Sequence, residues 1–218
     1  RVETALSAIE AIGGCVVIPV YNHARTVGDV VRESLKFAKT VLVCDDGSTD
    51  GSGAAAKAAG ADVLTHSVNQ GKGAALRTLL EAASTRGFRY AISLDADGQH
   101  YPKDMPGIAE AVTKQPGALV VGSRDLIAAN APASSEFGRK FGNFWVWFEG
   151  GQALEDNQSG FRAYPLPETL SLMGGRSRYD FEVEVLLRAS WAGLPLASTK
   201  IDVLYPKDRV THFRPFKD

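Results

Sequence analysis

Two aspartates, Asp95 and Asp97, follow directly on the apolar run Tyr90-Ala-Ile-Ser-Leu94. Carboxylates this close repel one another unless a cation sits between or beside them. Hard divalent cations take oxygen ligands and often bridge to substrate phosphates. The pair therefore points to a divalent cation that holds a phosphorylated substrate. Gln99 adds a neutral oxygen and His100 a possible nitrogen. An EF-hand does not fit, because Gly98 falls at the fourth place of this run and no acid follows at the twelfth. The run Asp46 to Gly51 begins like such a loop, but its twelfth place is Lys57.

Other polar clusters also stand directly after apolar runs. They are Pro19-Val-Tyr-Asn-His23, Asp45-Asp-Gly-Ser-Thr-Asp-Gly51, Asn69-Gln-Gly-Lys-Gly73 and Gly122-Ser-Arg124. Any one of them is an ordinary turn. Five in succession exceed what turns require. Asn69 to Gly73 resembles a phosphate cradle, yet it is not a P-loop, since the Gly-x4-Gly-Lys-Ser/Thr spacing is absent and Ala74 follows Gly73. No Gly-x-Gly-x-x-Gly follows the first run, where Pro19 and Tyr21 stand instead. These absences disfavour ATPases and dehydrogenases.

The clusters need a scaffold that brings them to one edge. Cys15 to Pro19, Thr40 to Cys44, Ala61 to Leu64, Tyr90 to Leu94 and Ala118 to Val121 read as strands. They are apolar on both faces, as in a parallel sheet that is covered twice. Helical patterns fall between them at Val27 to Ala38, Ala54 to Ala59, Ala74 to Ser84 and Met105 to Thr113. The alternation predicts an α/β fold, with right-handed crossovers and all strand C-termini on one edge, where ligands bind. The second half differs. An aromatic helical stripe runs from Phe137 to Phe148, either core packing or a lipid-facing surface. Gln158 to Tyr164 and Ser198 to Tyr205 read as strands, and Tyr179 to Ala192 as a helix. The stretch Ala128 to Ser135 is the candidate mobile loop.

Composition narrows the class. The chain has 218 residues, 44% hydrophobic, with a formal net charge of −1. That length buries a core without disulfides or metal, and the near-neutral charge argues against a nucleic-acid partner. No apolar run approaches the ~18 residues of a membrane span. Cys15 and Cys44 read as buried free thiols, as expected in a reducing compartment. A start at Arg1 suggests a processed or trimmed chain, with membrane helices possible beyond it.

Taken in order, Val17-Ile-Pro-Val-Tyr-Asn22, Cys44-Asp-Asp-Gly-Ser-Thr-Asp50, Asn69 to Gly73 and Asp95-Ala-Asp-Gly-Gln-His100 resemble a family 2 inverting glycosyltransferase of the A fold. Gly122-Ser-Arg124 and Asp156-Asn-Gln-Ser-Gly-Phe-Arg162 resemble the dolichol-phosphate mannose synthase and undecaprenyl-phosphate sugar transferase branch. The resemblance implies a single-domain, Rossmann-like fold with a mostly parallel sheet and helices on both faces. It implies a lead-in over 1–13, a catalytic domain over 14–205 and a basic, aromatic tail over 206–218. Residues 14–125 would bind the donor and 126–205 the acceptor.

Residue roles follow from the same resemblance. Pro19, Val20, Tyr21, Asn22, His23, Asp45 and Asp46 would line the nucleoside of a GDP- or UDP-linked sugar. Lys72, Asp95 and Ala96 would complete the donor site, and Asp95, Asp97 and Gln99 would hold Mg2+ or Mn2+. Asp97, Asp156 and Arg124 would be catalytic. Arg124 and Arg139 would receive the acceptor's phosphate, with Ser159, Arg162 and Glu184 beside it. One departure stands out: His23 replaces the family's usual acid after Tyr-Asn, which leaves the base open.

The implied acceptor is a polyprenyl phosphate, and the place of work the cytoplasmic face of a membrane. A lipid phosphate is already anionic and needs no strong base, whereas a hydroxyl acceptor on a glycan would need one, with Asp156 the candidate. A non-catalytic sugar-nucleotide-binding module is the rival of another class, and a nucleotidyltransferase a third. The tail from Lys207 to Asp218 holds four basic and two acidic residues and reads as solvated or membrane-proximal. His66 reads as structural or solvated, Glu184 and Arg188 as a helical ion pair, and Asn157-Gln-Ser159 as a chance sequon.

Overall fold

The computed structural model describes residues 8–124, 156, 159–173 and 181–202. Its strands are β1 (Gly14–Val20), β2 (Val41–Asp45), β3 (Asp62–Thr65), β4 (Tyr90–Ser93), β5 (Leu119–Arg124), β6 (Arg162–Pro165) and β7 (Leu196–Ile201). The helices are α1 (Val27–Ser34), α2 (Ser52–Ala58), α3 (Lys72–Thr85), α4 (Met105–Lys114), α5 (Leu166–Leu172) and α6 (Phe181–Trp191). The expected aromatic helix, the candidate loop and the basic tail lie outside the described residues.

The strands form one seven-stranded sheet in the order β3-β2-β1-β4-β6-β5-β7. Alternate residues of each strand face opposite sides, so a strand apolar throughout is buried twice. On β1, Val16, Ile18 and Val20 join one core, while Cys15 and Val17 join the other. The first core is closed by α1, α2 and α4 through Val27, Val31, Ala56, Met105, Ile108 and Val112. The second is closed by α3 and α6 through Leu76, Leu79, Leu80, Val185 and Leu186. Helices on both faces of a mostly parallel sheet make this an α/β fold, as the sequence predicts.

The sequence leaves the direction of one strand open. β6 runs antiparallel between β4 and β5, with Ser93 opposite Arg162 and Val121 opposite Arg162 on the other side. Its start, not its end, therefore lies at the edge where β4 and β5 finish. The approach to β6 is bonded there: Gly122 N–H donates to Phe161 O at 2.8 Å, and Ser93 Oγ to Gly160 O at 2.5 Å. The predicted strand Gln158 to Tyr164 begins late because residues 159–161 serve this edge instead of a ladder. Helix α5 escaped notice because Pro165 and Pro167 punctuate it. Pro167 nonetheless fits a helix's first turn, where an N–H would be unsatisfied.

Cys15 and Cys44 are free and fully buried, as expected. Burial pushes the Cys15 thiol up from 9.0 to about 12, against a small pull from Arg86. Burial, followed by the negative charges of Asp46 and Asp45, does the same to Cys44. The folded state thus keeps protons that the unfolded chain loses, so their stabilisation is complete below pH 9.0 and falls toward about pH 12. The slope is about 1.4 kcal/mol per pH unit for each thiol. Denaturant titrations between pH 8 and 11 should show this loss, and a Cys15→Ala, Cys44→Ala variant should flatten it.

Candidate active site

Beyond β1 the chain turns at Asn22, which adopts φ +55°. Such a conformation is uncommon outside glycine but tolerated by asparagine. Here it is held by the loop after β2. Asn22 N–H donates to Ser48 Oγ at 3.0 Å, and Thr49 N–H donates to Asn22 Oδ1 at 2.9 Å. His23 N–H donates to Ser52 Oγ at 2.8 Å and Ala24 N–H to Asp50 Oδ2 at 2.9 Å. The first two polar clusters therefore form one hydrogen-bonded unit. Asp45 belongs to it, accepting from Ser48 N–H at 2.9 Å and leaving no room for a Cβ at Gly53. Tyr21 stands exposed on this unit at 38%, while Val20 is buried.

Asp46 is placed differently from expectation. It is 2% exposed, and its oxygens accept from His66 Nδ1 at 2.6 Å, Gln70 N–H at 3.0 Å and Gly71 N–H at 2.8 Å. A carboxylate so engaged braces the third cluster. His66, read as merely structural or solvated, is its partner. The only sequence signal for this was a polar ring at the end of a strand.

The turn that Asp46 braces delivers Lys72, the first residue of α3. Lys72 Nζ lies 2.6 Å from Asp95 Oδ1 and 3.1 Å from Glu182 Oε1. Asp95 Oδ2 in turn lies 3.8 Å from His100 Nδ1. Burial would raise the Asp95 carboxyl, but Lys72, helped by His100, overrides it and holds Asp95 well below the usual range. Asp97 goes the other way, raised by burial and then by repulsion from Asp95. Burial pushes His100 down despite both carboxylates. Its Nδ1 has no hydrogen-bond partner among the described residues. Two devices hold the pair. Thr26 Oγ1 donates to Ala96 O at 2.6 Å, and Gln99 N–H donates to Asp97 Oδ1 at 2.9 Å. Glu182 was not foreseen, although it lies two residues before Glu184. The latter pairs with Arg188 at 2.8 Å along α6, as the helical spacing suggested.

The residues expected around the acceptor are tied up otherwise. Arg124 grips Asp156 through Nε at 2.6 Å and Nη2 at 3.0 Å, and Asp156 is fully buried. Such a fork–fork pair is a strong, directional contact. It ties the end of β5 to Asp156. Arg162 and Ser159 are fully buried too. Arg162 donates to Ser159 O at 2.7 Å and Glu182 O at 2.5 Å, so it ties β6 to α6. Arg139 lies outside the described residues.

Two substitutions test this geometry. A Cβ on Gly160 would stand 2.6 Å and 2.9 Å from the two Asp95 oxygens. Gly160→Ala should therefore turn Asp95 off Lys72 and lower stability by about 1–3 kcal/mol in denaturant melts. Arg124→Ala should cost roughly 3–5 kcal/mol, because it removes the guanidinium that pairs with the buried Asp156 carboxylate.

Comparison with known proteins places this geometry. The chain is 31% identical over 201 residues to a polyprenol monophosphomannose synthase of Mycolicibacterium smegmatis, covering 85% of this chain and 75% of that one. An undecaprenyl-phosphate mannosyltransferase of Micrococcus luteus is 30% identical over 203 residues, with 85% and 81% covered. A glucosyl-3-phosphoglycerate synthase from Mycobacterium tuberculosis, solved with Mn2+ and UDP-glucose, shares the fold at TM-score 0.73. It is 23% identical, over 96% of this chain and 76% of that one. Residues 15–164 match glycosyl transferase family 2. With the α/β sheet and the charged strand ends in place, the chain belongs to glycosyl transferase family 2 and is a glycosyltransferase.

Proposed function

We propose that this enzyme moves a sugar from a nucleoside diphosphate, UDP or GDP, to a polyprenyl phosphate at a membrane surface, with a divalent cation. The observation that carries the reading is the cluster of Asp95, Asp97 and Lys72 beyond β4. The relatives' names support the acceptor.

The residues fit a divalent cation. Burial raises the Asp97 carboxyl and repulsion from Asp95 raises it further, so a cation beside them would relieve that repulsion. His100 offers a buried nitrogen with no hydrogen-bond partner among the described residues. No group of three or more His, Cys, Asp or Glu side chains stands ready as a cage among the described residues. That suits Mg2+, which commonly takes one or two carboxylates, with substrate phosphates and water completing the shell. Asp95 and Asp97 would hold the ion, with Gln99 nearby. It would supply charge neutralisation to the departing diphosphate.

The chain's own residues do the rest. Lys72 adds a second positive charge where the diphosphate oxygens gather charge. Tyr21 and His23, on the unit of the first two loops, would meet the base. An oxygen of the lipid phosphate attacks the anomeric carbon as the bond from that carbon to the diphosphate breaks, so configuration inverts. The attacking oxygen is already anionic, and no side chain has to take its proton. The closed Arg124–Asp156 pair agrees with that economy: it shapes the edge of the site and leaves Arg139 as the proposed receiver of the acceptor phosphate. Among the described residues no helix is long and apolar enough to cross a membrane. The proposed place of work is the cytoplasmic face of a membrane.

Calorimetry with UDP and GDP tests the donor half. Affinity with Mn2+ should fall at least tenfold after EDTA treatment, and Asp97→Asn should bind as the EDTA-treated protein does. Equal affinity with and without metal would refute the metal-dependent reading. Transfer of radiolabelled sugar to undecaprenyl phosphate, absent with a free phosphorylated sugar, tests the acceptor.

A further inference from the structure

We infer that His66 is a positioning residue for donor binding, acting through Asp46 on the turn that presents Lys72. The inference rests on the proposed donor site at Lys72 and Asp95.

A carboxylate only accepts hydrogen bonds, so the 2.6 Å contact with Asp46 Oδ1 requires the proton on His66 Nδ1. In the neutral ring Nε2 then accepts, and Thr78 Oγ1 lies 2.9 Å from it. Cys44 Sγ stands 3.6 Å from the same nitrogen. The ring therefore touches β2 through Cys44, the loop after β2 through Asp46, and α3 through Thr78. It is half-buried as a residue, with 11% of its side chain exposed.

Asp46 passes this anchoring on. Its Oδ1 takes both His66 and Gln70 N–H, while Oδ2 takes Gly71 N–H. Those two amides are the last before Lys72. Gly71 has φ +95°, a conformation that side chains resist, so this turn needs outside bonds to stay in place. The neighbouring backbone leaves little slack, since a Cβ on Gly47 would fall 2.6 Å from Val68 C and Asn69 N. A displaced turn moves the α3 start and carries Lys72 away from Asp95 and Glu182, with which it now pairs. Without its imidazole partner, the Asp46 carboxylate keeps two amide donors and loses the contact that fixes its plane.

The experiment compares His66→Ala, His66→Asn and wild type. Asparagine can place an amide N–H near the Nδ1 position, but it cannot reach Thr78. Hydrogen exchange of the Gln70 and Gly71 amides reports the turn directly, and calorimetry with UDP or GDP reports donor affinity. In His66→Ala both amides should exchange at least tenfold faster, and nucleotide affinity should fall about tenfold. His66→Asn should restore most of both. The rise in KM for the nucleotide sugar should exceed the fall in kcat. A variant that melts early but binds nucleotide normally below its melting temperature overturns the inference. So does His66→Asn behaving as His66→Ala. If wild type itself binds no nucleotide, the donor-site reading fails, while faster exchange in His66→Ala would still establish the link from ring to turn.

Discussion

A sheet covered on both faces by apolar helices has no place for charge except at its strand ends. That constraint arranges everything else here. The two cores take the alternate side chains of β1, β2 and β4, so the polar clusters that follow these strands are forced to one rim. Once there, the loops stabilise one another. Asn22 is fixed by the loop after β2, and Asp46 fixes the loop after β3. Thr26, at the start of α1, holds Ala96 between the two carboxylates. Buried charge at the rim is tolerated because it is paired, Lys72 with Asp95 and Arg124 with Asp156.

Much of the scaffold could be read from hydrophobic pattern alone. Each parallel strand appears as a short apolar run because burial on both faces demands it. The helix between Lys72 and Thr85 is marked by Leu76, Leu79, Leu80 and Ala83, which repeat at helical spacing. Direction is harder to read. Nothing in Arg162-Ala-Tyr-Pro165 tells a parallel strand from an antiparallel one, since register and direction are settled by long-range pairing.

Site residues divide along a similar line. Spacing exposed Asp95, Asp97 and Lys72 as chemistry. It could not reveal which acids face solvent and which face the protein. Asp45, Asp46 and Asp156 all carry a side chain able to bind a substrate, and each bonds within the protein, to backbone N–H groups, to His66 or to Arg124. Glu182 and Glu184 show the converse. They are two residues apart on one helix and therefore lie on different sides of it. Only the fold decides that Glu182 meets Lys72 while Glu184 meets Arg188.

The reversed direction of β6 has an evolutionary reading. Because β5 ends and β6 begins at the same rim, Arg124 and Asp156 meet there and are clasped. A segment whose ends meet at one clasp can be lengthened at little expense, since each doubling of a flexible loop adds only about 0.6 kcal/mol of closure entropy.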